Sequence, residues 1–452
     1  MGVCHFKGFY ILKSEKSIKS SVLILTLCYN TLKGGDNVQY MNKVFYNLKG
    51  LADREAKLVQ RLNYDSLVIP GLEIKPLNQN KIFQAYYIPT MKTIDLISSI
   101  SKDDVVLMQL YDKLPKLAQH KFLIDMLTSE LHSTNLLEGV RSSKEELVFT
   151  AKELLEKKSG SSEDLKLSSV VNSYIHLQSG VLARPKDIKG IRKIYDEITV
   201  DGVDEKDLPD GEFFRKGEAY IYKSSIVEIH RGITSASGTE DHIINVMNNL
   251  LNFLNNDSRC NELVKNAIFH YYFGYIHPFY DGNGRTARFI SSIYLKEDYT
   301  WLTSLSLSQG ANDSRSLYLK AFDATNQISM QGELNFFVDS FLEVLNNGQN
   351  ILKDDLQTKI VLLEGAIDKA KNDPRINKDE DLLELMNIAI ELHLFASAHD
   401  YIDIELLKDQ SIMKYTNQTI RKKLNKLDEM KLLKKISKNP VRYVLNSDYL
   451  EN

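Results

Sequence analysis

The sequence predicts a mainly α-helical fold with one β-hairpin inserted among the central helices and a small helix-and-strand domain at the C-terminal end. Apolar residues recur at helical spacing through most of residues 121–345. One stretch in this region, residues 219–233, alternates apolar and polar residues around Lys223-Ser224-Ser225, which is the pattern of a hairpin. A chain of 452 residues has room for more than one domain, so we divide it by these patterns.

The order of the patterns predicts five regions. Residues 41–120 combine short apolar runs with four prolines and are predicted to form short strands and turns. The first long helical pattern ends near Glu138, where Gly139 supplies a C-cap, and Ser142-Ser143 caps a second helix through Glu156. Further helices are predicted at 165–177, 187–195, 241–254, 260–276, 285–299 and 314–345. The regions are an N-terminal extension at 1–40 whose translation we leave open, an N-terminal region at 41–150 with the helix ending near 138, a helical core at 151–345, a helical connector at 346–375 and a winged-helix-like domain at 376–452.

Composition and charge narrow the classes of protein that the chain can be. The formal net charge of −3 gives no overall attraction to nucleic acid, so any such attraction must come from a local patch. Cys4, Cys28 and Cys260 are few and far apart, which argues against a disulfide framework and a zinc cluster and favours the reducing cytoplasm. The longest apolar run, residues 22–29, is too short to cross a bilayer, so we expect no membrane partner.

The chemically informative segment is HPFYDGNGRTAR at residues 277–288, which lies between two predicted helices. Gly282 and Gly284 allow a tight turn whose N–H groups converge on an anion, and the helix beginning near Arg285 adds its positive N-terminus. Arg285 and Arg288 are three residues apart and therefore lie on one helix face, where they can bind polyphosphate oxygens. Each element taken alone also has a purely structural interpretation, as a turn or a solvated arginine.

Two further residues of this segment provide groups that phosphate chemistry needs. Asp281 is a hard oxygen ligand beside the predicted anion site, as magnesium-bridged phosphates require. His277 lies on the other side of the loop, and its imidazole can accept a proton from an attacking hydroxyl. The segment therefore predicts a site for phosphoryl or nucleotidyl transfer.

The segment resembles the signature of the Fic family of adenylyl-transferases, His-Pro-Phe-x-Asp/Glu-Gly-Asn-Gly-Arg-x-x-Arg, and matches it at every specified position. The resemblance implies a Fic-type helical core in which residues 219–233 form the flap hairpin that holds a protein target by strand addition. Mg²⁺ is the implied cofactor and ATP the implied co-substrate. The resemblance implies that His277 is the general base, Asp281 the Mg²⁺ ligand, Gly282, Asn283 and Gly284 the α/β-phosphate cradle, and Arg285 and Arg288 the ligands of the remaining phosphates.

Two departures from relatives bear on the reaction and on the target. Relatives that phosphorylate carry a lysine within the glycine loop, so Gly284 favours transfer of AMP to a serine, threonine or tyrosine hydroxyl, self-modification included. Many relatives carry consecutive prolines after the flap, whereas this chain has Ser235-Ala236-Ser237-Gly238, which leaves the docking register open. We assign His270 a structural role, because no partner stands at zinc-ligand spacing.

The segment from Thr134 to Gly139 is similar to the inhibitory pattern of the family, Ser/Thr-x-x-x-Glu-Gly/Asn. Thr134 and Glu138 are four residues apart and share a helix face. The resemblance implies that Glu138 pairs with Arg288 and prevents productive binding of ATP; the structural alternative is a surface glutamate before a C-cap. The same carboxylate could instead orient water to remove AMP from a modified protein, and the sequence does not separate the two directions.

The C-terminal region carries a local basic excess, with ten lysines and arginines against two acidic residues in 411–442. Its pattern resembles a winged helix with a first helix at 402–408, a recognition helix at 417–431 and a wing at 433–445. Arg421, Lys422 and Lys423 could then contact DNA phosphates, and docking of a protein is the alternative. The rival interpretation of the whole chain is a DNA-binding regulator with a nucleotide-sensing Fic core. The oligomeric state stays open.

Overall fold

The computed structural model of the protein describes residues 38–63, 66–155, 167–200, 202–224, 227–396, 400–409 and 416–451. These residues are mainly helical, and the strands among them form three two-stranded antiparallel hairpins, so the predicted fold class is confirmed. The N-terminal extension at 1–40 lies outside the described residues except for 38–40. None of the described helices combines the length and the apolar character that crossing a bilayer requires.

The elements follow one another along the chain as helices interrupted by the three hairpins. The helices are α1 Met41–Phe45, α2 Leu51–Asn63, α3 Met91–Asp112, α4 Lys116–Glu138, α5 Lys144–Leu155, α6 Ser168–Ser179, α7 Ile188–Thr199, α8 Thr239–Asn256, α9 Glu262–Ile276, α10 Asn283–Asp298, α11 Trp301–Ser304, α12 Leu307–Asp313, α13 Arg315–Thr325, α14 Asn335–Asn372, α15 Glu380–Phe395, α16 Ile404–Asp409, α17 Asn417–Glu429 and α18 Asp448–Glu451. The hairpins are β1 Leu67–Ile74 with β2 Phe83–Tyr87, β3 Tyr220–Ser224 with β4 Val227–Arg231, and β5 Leu433–Lys438 with β6 Val441–Leu445.

The chain divides into two compact units. Of the described residues, the first unit takes those up to Val105, Glu130–Ser142 and those from Leu167 to Asn350. The second takes Val106–Ser129, Ser143–Leu155 and the described residues from Ile351 onward. Helices α3, α4 and α14 each contribute to both units, so the predicted domain boundaries at 150, 345 and 375 stay predictions.

Two consecutive helices, α9 and α10, form the centre of the first unit. Nearly every residue of α9 is buried, because apolar and aromatic side chains make up most of its sequence and it packs against α8 and α10. Most residues of α10 are buried as well, although this helix begins with polar residues. A short loop between these two helices is therefore held from both ends by packed structure.

Helices α1 and α2 attach to the first unit through Glu333, a fully buried carboxylate. Arg61 forms an ion pair with Glu333, and the backbone N–H of Met41 donates to the same carboxylate at 2.8 Å. Burying a carboxylate costs free energy unless a cation and hydrogen bonds compensate it. Arg61 and Met41 both precede β1, and Tyr86 OH on β2 adds a longer hydrogen bond of 3.4 Å.

The prediction of strands and turns through residues 41–120 is wrong for most of that stretch. Among the described residues of this stretch, only β1 and β2 are strands, and α3 is a helix of 22 residues. The prolines at 89 and 115 stand on either side of this helix rather than within it, and Thr90 accepts a hydrogen bond from the backbone N–H of Thr93 as a cap. The two prolines therefore flank a long helix and do not interrupt it.

The prediction of one continuous helix at 314–345 is also wrong. Helix α13 ends at Thr325, and the chain then turns through Gln331 and Gly332, both of which have positive φ. The backbone of Gly332 accepts from Tyr86 N–H at 3.0 Å, and a Cβ at Gly332 would lie only 2.3 Å from the carbonyl oxygen of Gln84. The pairing of this turn with β2 ends one helix and lets α14 continue unbroken to Asn372.

The second unit ends in the element order that the sequence predicts for its C-terminal region. The predicted first helix starts two residues late, at Ile404, because Ile402 pairs with Tyr443 of β6 through two backbone hydrogen bonds. Helix α17 ends at Glu429, before the left-handed Lys431, rather than at 431. The wing coincides with β5 and β6, and the assignment as a winged helix stays a prediction.

Candidate active site

The loop between α9 and α10 reverses the chain through two left-handed residues. His277 has φ 52°, which is uncommon for a residue with a side chain, and its N–H bonds Phe273 O at 3.0 Å. Gly282 has φ 80° and precedes the first turn of α10, and a Cβ there would lie 2.8 Å from the Thr199 methyl group. A non-glycine residue held in this conformation is a mark of functional sites, since packing must offset the strain.

Asn283 holds the loop closed from inside. Its side-chain oxygen accepts from Phe279 N–H at 3.0 Å, and its amide nitrogen donates to Phe279 O at 2.8 Å. The Phe279 ring is in turn stacked on Tyr195 at 3.7 Å between centroids. The side chain of Asn283 is therefore engaged with the loop backbone, and only its N–H is available for the predicted phosphate cradle.

We expect Asn283→Ala to weaken nucleotide binding and to lower the free energy of unfolding by about 1–3 kcal/mol, because it leaves the Phe279 N–H and C=O buried without partners. Thermal unfolding and ATP titration by calorimetry measure the two effects. Asn256→Ala is the matched control, since Asn256 makes one exposed side-chain hydrogen bond, to Asn252. Equal affinity for ATP in the Asn283 variant and the control would contradict the assignment.

His277 carries its imidazole in the neutral form. Burial, together with the nearby His230 and the Arg215 guanidinium, lowers the pKa of His277 to about 3. The backbone carbonyl of His277 accepts a hydrogen bond from Arg215 Nε at 2.7 Å. A neutral imidazole is the form that can accept a proton, so the protonation state suits the predicted general base.

Arg285 lies beside the loop and has a side-chain N–H that is not used in a hydrogen bond with the described residues. Its Nη2 donates to Gly202 O at 2.9 Å and lies 3.5 Å from Asp281 Oδ2. Its Nε is buried without a hydrogen-bond partner among the described residues. A buried guanidinium with an unused N–H beside the N-terminus of α10 can bind a further anion.

Asp281 is the one predicted metal ligand of this loop. Its Oδ1 accepts from Gly282 N–H at 2.6 Å, and its side chain is 44% exposed. Within the described part of the chain, no three His, Cys, Asp or Glu side chains cluster closely enough to hold a metal ion by themselves. One accessible carboxylate fits Mg²⁺ that arrives with phosphates, which uses one or two protein carboxylates, and does not fit a metal caged by protein alone.

Arg288 and the predicted inhibitory residues of α4 are in direct contact. Arg288 is 1% exposed, its Nη2 donates to Glu138 Oε1 at 2.7 Å, and its Nε donates to Thr134 Oγ1 at 2.9 Å. The Glu138 carboxylate also lies over Gly284, where a Cβ would come within 2.0 Å of Oε1. Glu138 therefore covers both the arginine and the glycine turn that were predicted to bind phosphates.

A buried polar chain holds the other side of Arg288. Tyr318 OH lies 3.4 Å from Arg288 Nη1 and 2.7 Å from His270 Nε2, and His270 Nδ1 lies 2.9 Å from Ser291 Oγ. Burial lowers the pKa of His270 to about 3, so this ring is neutral. His270 is thus a hydrogen-bonded core residue, in keeping with its predicted structural role.

Glu130 anchors the same helix face two turns before Glu138. Its fully buried carboxylate accepts from Ser308 N–H at 2.9 Å and from Gln309 N–H at 3.2 Å. Burial raises the pKa of Glu130 from 4.5 to about 7. This carboxyl therefore titrates in the fold near neutral pH.

We expect the contribution of Glu130 to the free energy of unfolding to decrease as pH rises. The folded-state pKa lies above the unfolded value, so the stabilisation is complete below about pH 4.5 and is lost as pH rises through about 7. The change amounts to at most about 3 kcal/mol. The free energy of unfolding of wild type and Glu130→Gln, measured at pH values across this window, gives the size of the change. Glu145→Gln, at an exposed position, is the control. If the free energy of unfolding of Glu130→Gln depended on pH as that of wild type does, the raised pKa of Glu130 would be contradicted.

Sequence reasoning missed Arg215, Tyr318, Glu130 and the stacking role of Tyr195. Each lies far from residues 277–288 in the chain and belongs to no motif. The one available signal was Arg215 itself, which follows two phenylalanines at the entrance of the predicted hairpin. An isolated arginine in such a context is more often a surface residue than a buried one.

The predicted DNA-contacting residues lie on α17 of the second unit. Arg421 and Lys422 are exposed. Lys423 is instead paired within the unit, with Asp379 at 3.1 Å and Asp381 at 2.7 Å. A lysine that neutralises two carboxylates contributes less to a basic surface, and DNA binding through all three residues stays a prediction.

Comparison with known proteins gives one family match and several solved structures. Residues 185–295 match the model of the Fic/DOC family. A Fic family protein from Desulfovibrio desulfuricans G20 is 17% identical, with 81% of this chain and 99% of that chain covered and a TM-score of 0.48. Fic-1 from C. elegans is 17% identical over 58% of this chain and 75% of that one, with a TM-score of 0.37. A Fic domain containing signalling protein from Bacteroides thetaiotaomicron VPI-5482 is 16% identical over 59% and 97%, with a TM-score of 0.35.

Proposed function

Because residues 185–295 match the model of the Fic/DOC family, we propose that the protein is a self-inhibited protein adenylyltransferase that moves AMP from ATP to a serine, threonine or tyrosine hydroxyl. The observation that carries the proposal is the juxtaposition of a neutral His277 in the loop, a glycine turn at the start of α10 and two arginines in the first two turns of that helix. The target hydroxyl oxygen attacks the α-phosphorus, the bond to the β-phosphate oxygen breaks, pyrophosphate leaves, and the hydroxyl proton passes to His277.

The N-terminus of α10 is the proposed phosphate site. The N–H groups of Asn283 and Gly284 lie in the first helical turn, where no intrahelical acceptor exists for them. They point with the positive end of the helix dipole toward an anion. Arg285 and Arg288 would bind further phosphate oxygens, Arg288 only after it is released from Glu138.

His277 becomes a better proton acceptor when phosphate binds. Its low pKa is caused by burial and by neighbouring positive charge. Negative charge brought next to it by the triphosphate shifts that pKa toward the working pH, where a general base is most effective. Asp281 would hold Mg²⁺, which when bound supplies charge neutralisation at the phosphates.

The flap hairpin is the proposed docking site for the protein target. Strands β3 and β4 pair only with each other among the described strands, so each retains a backbone edge that an extended segment could extend. The chain leaves β4 through Gly232 and Ile233, and Ile233 N–H bonds Ile276 O at 3.2 Å, next to His277. A segment added to this hairpin would therefore run close to the base.

The test compares two labels in one assay. Full-length protein with Mg²⁺ and a cell lysate is incubated with ATP labelled on its α-phosphate or on its γ-phosphate. Retention of the α-label alone supports AMP transfer, whereas retention of the γ-label alone would replace it with phosphorylation. Absence of both labels, together with release of AMP from a previously modified protein, would assign the site to AMP removal.

AMP removal is the second candidate, and the position of Glu138 favours it. The carboxylate lies over Gly284 and is 26% exposed, so it could orient a water molecule beside a bound AMP group. The proposal as a DNA-binding regulator has only the exposed Arg421 and Lys422 in its favour. We propose a cytoplasmic location, in keeping with Cys260, which is a free thiol.

A further inference from the structure

Arg215 is a buried cation that is bound by backbone carbonyls alone. Its side chain is fully buried, and no carboxylate among the described residues forms an ion pair with it. The guanidinium donates to four carbonyl oxygens instead, which belong to His277 at 2.7 Å, Gly217 at 2.5 Å, Ile233 at 2.9 Å and Ile276 at 3.3 Å. A buried charge without a counter-ion is costly, so this arrangement requires an explanation.

The four carbonyls come from three different parts of the site. Ile276 and His277 form the C-terminal end of α9, where the helix dipole is negative and favours a cation. Gly217 lies on the chain that enters the flap hairpin, and Ile233 lies on the chain that leaves it. One planar side chain therefore connects the backbone of His277 to both legs of the hairpin.

Gly232 shows how closely these groups are packed. A Cβ at this position would lie 2.3 Å from Arg215 Nη2 and 3.0 Å from the Cβ of His277. No side chain fits there without moving the arginine or the histidine. The chain that leaves the hairpin, the Arg215 guanidinium and the loop that carries His277 therefore pack against one another at this point.

We propose that Arg215 is the positioning residue that fixes the distance between the flap hairpin and the imidazole of His277. This inference rests on the proposed function, because it assigns Arg215 the task of bringing a target hydroxyl on the hairpin into reach of the base. Arginine is suited to the task, since it has five donors in one rigid plane. Lysine has three donors on a single nitrogen and cannot reach all four carbonyls.

The first experiment measures steady-state AMP transfer by Arg215→Lys in a Glu138→Gly background. We expect kcat to fall by about 10²-fold, as displacement of a reacting group by about 1 Å can cause. The KM for ATP should stay within about twofold of the parent value, because the phosphate site depends on Asn283 and the start of α10. Arg192→Lys is the matched control, because Arg192 also lies close to backbone carbonyls, of Glu212 and Phe213, but is partly exposed and does not contact His277. Loss of ATP affinity in step with kcat, or an unchanged kcat, would overturn the proposal.

The second experiment does not depend on transferase activity. The imidazole of His277 is titrated by nuclear magnetic resonance with labelled histidine, with the His277 signal identified by its loss in His277→Ala. Removal of the guanidinium charge in Arg215→Met should raise the pKa of His277. Arg215→Lys keeps a positive charge and should leave the pKa of His277 low. In Arg215→Lys, however, hydrogen exchange at the Gly232 amide should be faster than in the parent. If the parent shows no label transfer, the proposed function fails and this arm still tests Arg215. An unchanged titration in Arg215→Met with unchanged exchange in Arg215→Lys would overturn the positioning role.

Discussion

We expect Glu138→Gly to raise the rate of AMP transfer by about 10- to 100-fold. The Glu138 carboxylate binds Arg288 at 2.7 Å and covers Gly284, so in the proposed mechanism ATP must displace this carboxylate before its phosphates can bind. A hydrogen bond between charged groups contributes about 1.5–3 kcal/mol, and each 1.4 kcal/mol changes the population of the open site tenfold. Incorporation of α-label at subsaturating ATP measures the change.

Two further variants separate the charge effect from fraying of the helix end. Glu138→Gln keeps the shape of the side chain and loses its charge, so we expect an intermediate rate. Leu136→Gly places glycine in the same last turn of α4, at a side chain that is 43% exposed, and should leave the rate low. Activation by Leu136→Gly equal to that by Glu138→Gly would show that loosening of α4, and not the ion pair, controls the site.

The second large effect is expected from His277→Ala in the Glu138→Gly background. Removal of the base should lower kcat by about 10²–10⁴-fold, the usual contribution of general base catalysis. The affinity for ATP should change little, because in the proposed mechanism the imidazole accepts the proton of the attacking hydroxyl, whereas α10 binds the phosphates. Single-turnover transfer and ATP titration measure the two quantities separately.

His242→Ala is the control for loss of an imidazole near the hairpin, since His242 lies on α8 and is partly exposed. It should retain the parent rate. Retention of more than about a tenth of the parent rate in the His277 variant, with ATP binding intact, would mean that another group or water accepts the proton. AMP transfer would then remain the proposed reaction, but His277 would not be its general base.

The loop itself was predictable from sequence because its chemistry is local. Residues 277–288 are contiguous, and the spacing of Gly282, Gly284, Arg285 and Arg288 fixes where their groups lie on a turn and a helix. The end of α4 at Glu138 and the flap hairpin were predicted for the same reason. The contact between Glu138 and Arg288 came from the resemblance to the Fic family, and the structure places the two side chains at 2.7 Å.

The remainder depends on contacts between distant parts of the chain. Arg215 meets His277 across 62 positions, and Glu130 meets Ser308 across 178. The turn at Gly332 exists because it pairs with β2, and no local feature of residues 314–345 indicates this partner. Asn283 was assigned to the phosphate cradle through the resemblance to the Fic family, which does not indicate that its side chain bonds the backbone of Phe279.

The burial of Glu333 sets the smallest piece of this chain that can fold as the first unit does. The family match begins at residue 185, yet Glu333 takes its cation from Arg61 and a hydrogen bond from Met41 N–H. A fragment that begins after α2 would leave this carboxyl buried without its cation, and burial, which already raises the pKa of Glu333, would then favour the protonated acid. The recognisable segment and the folding unit are therefore different lengths of chain, and fragments for biochemical work should retain α1 and α2.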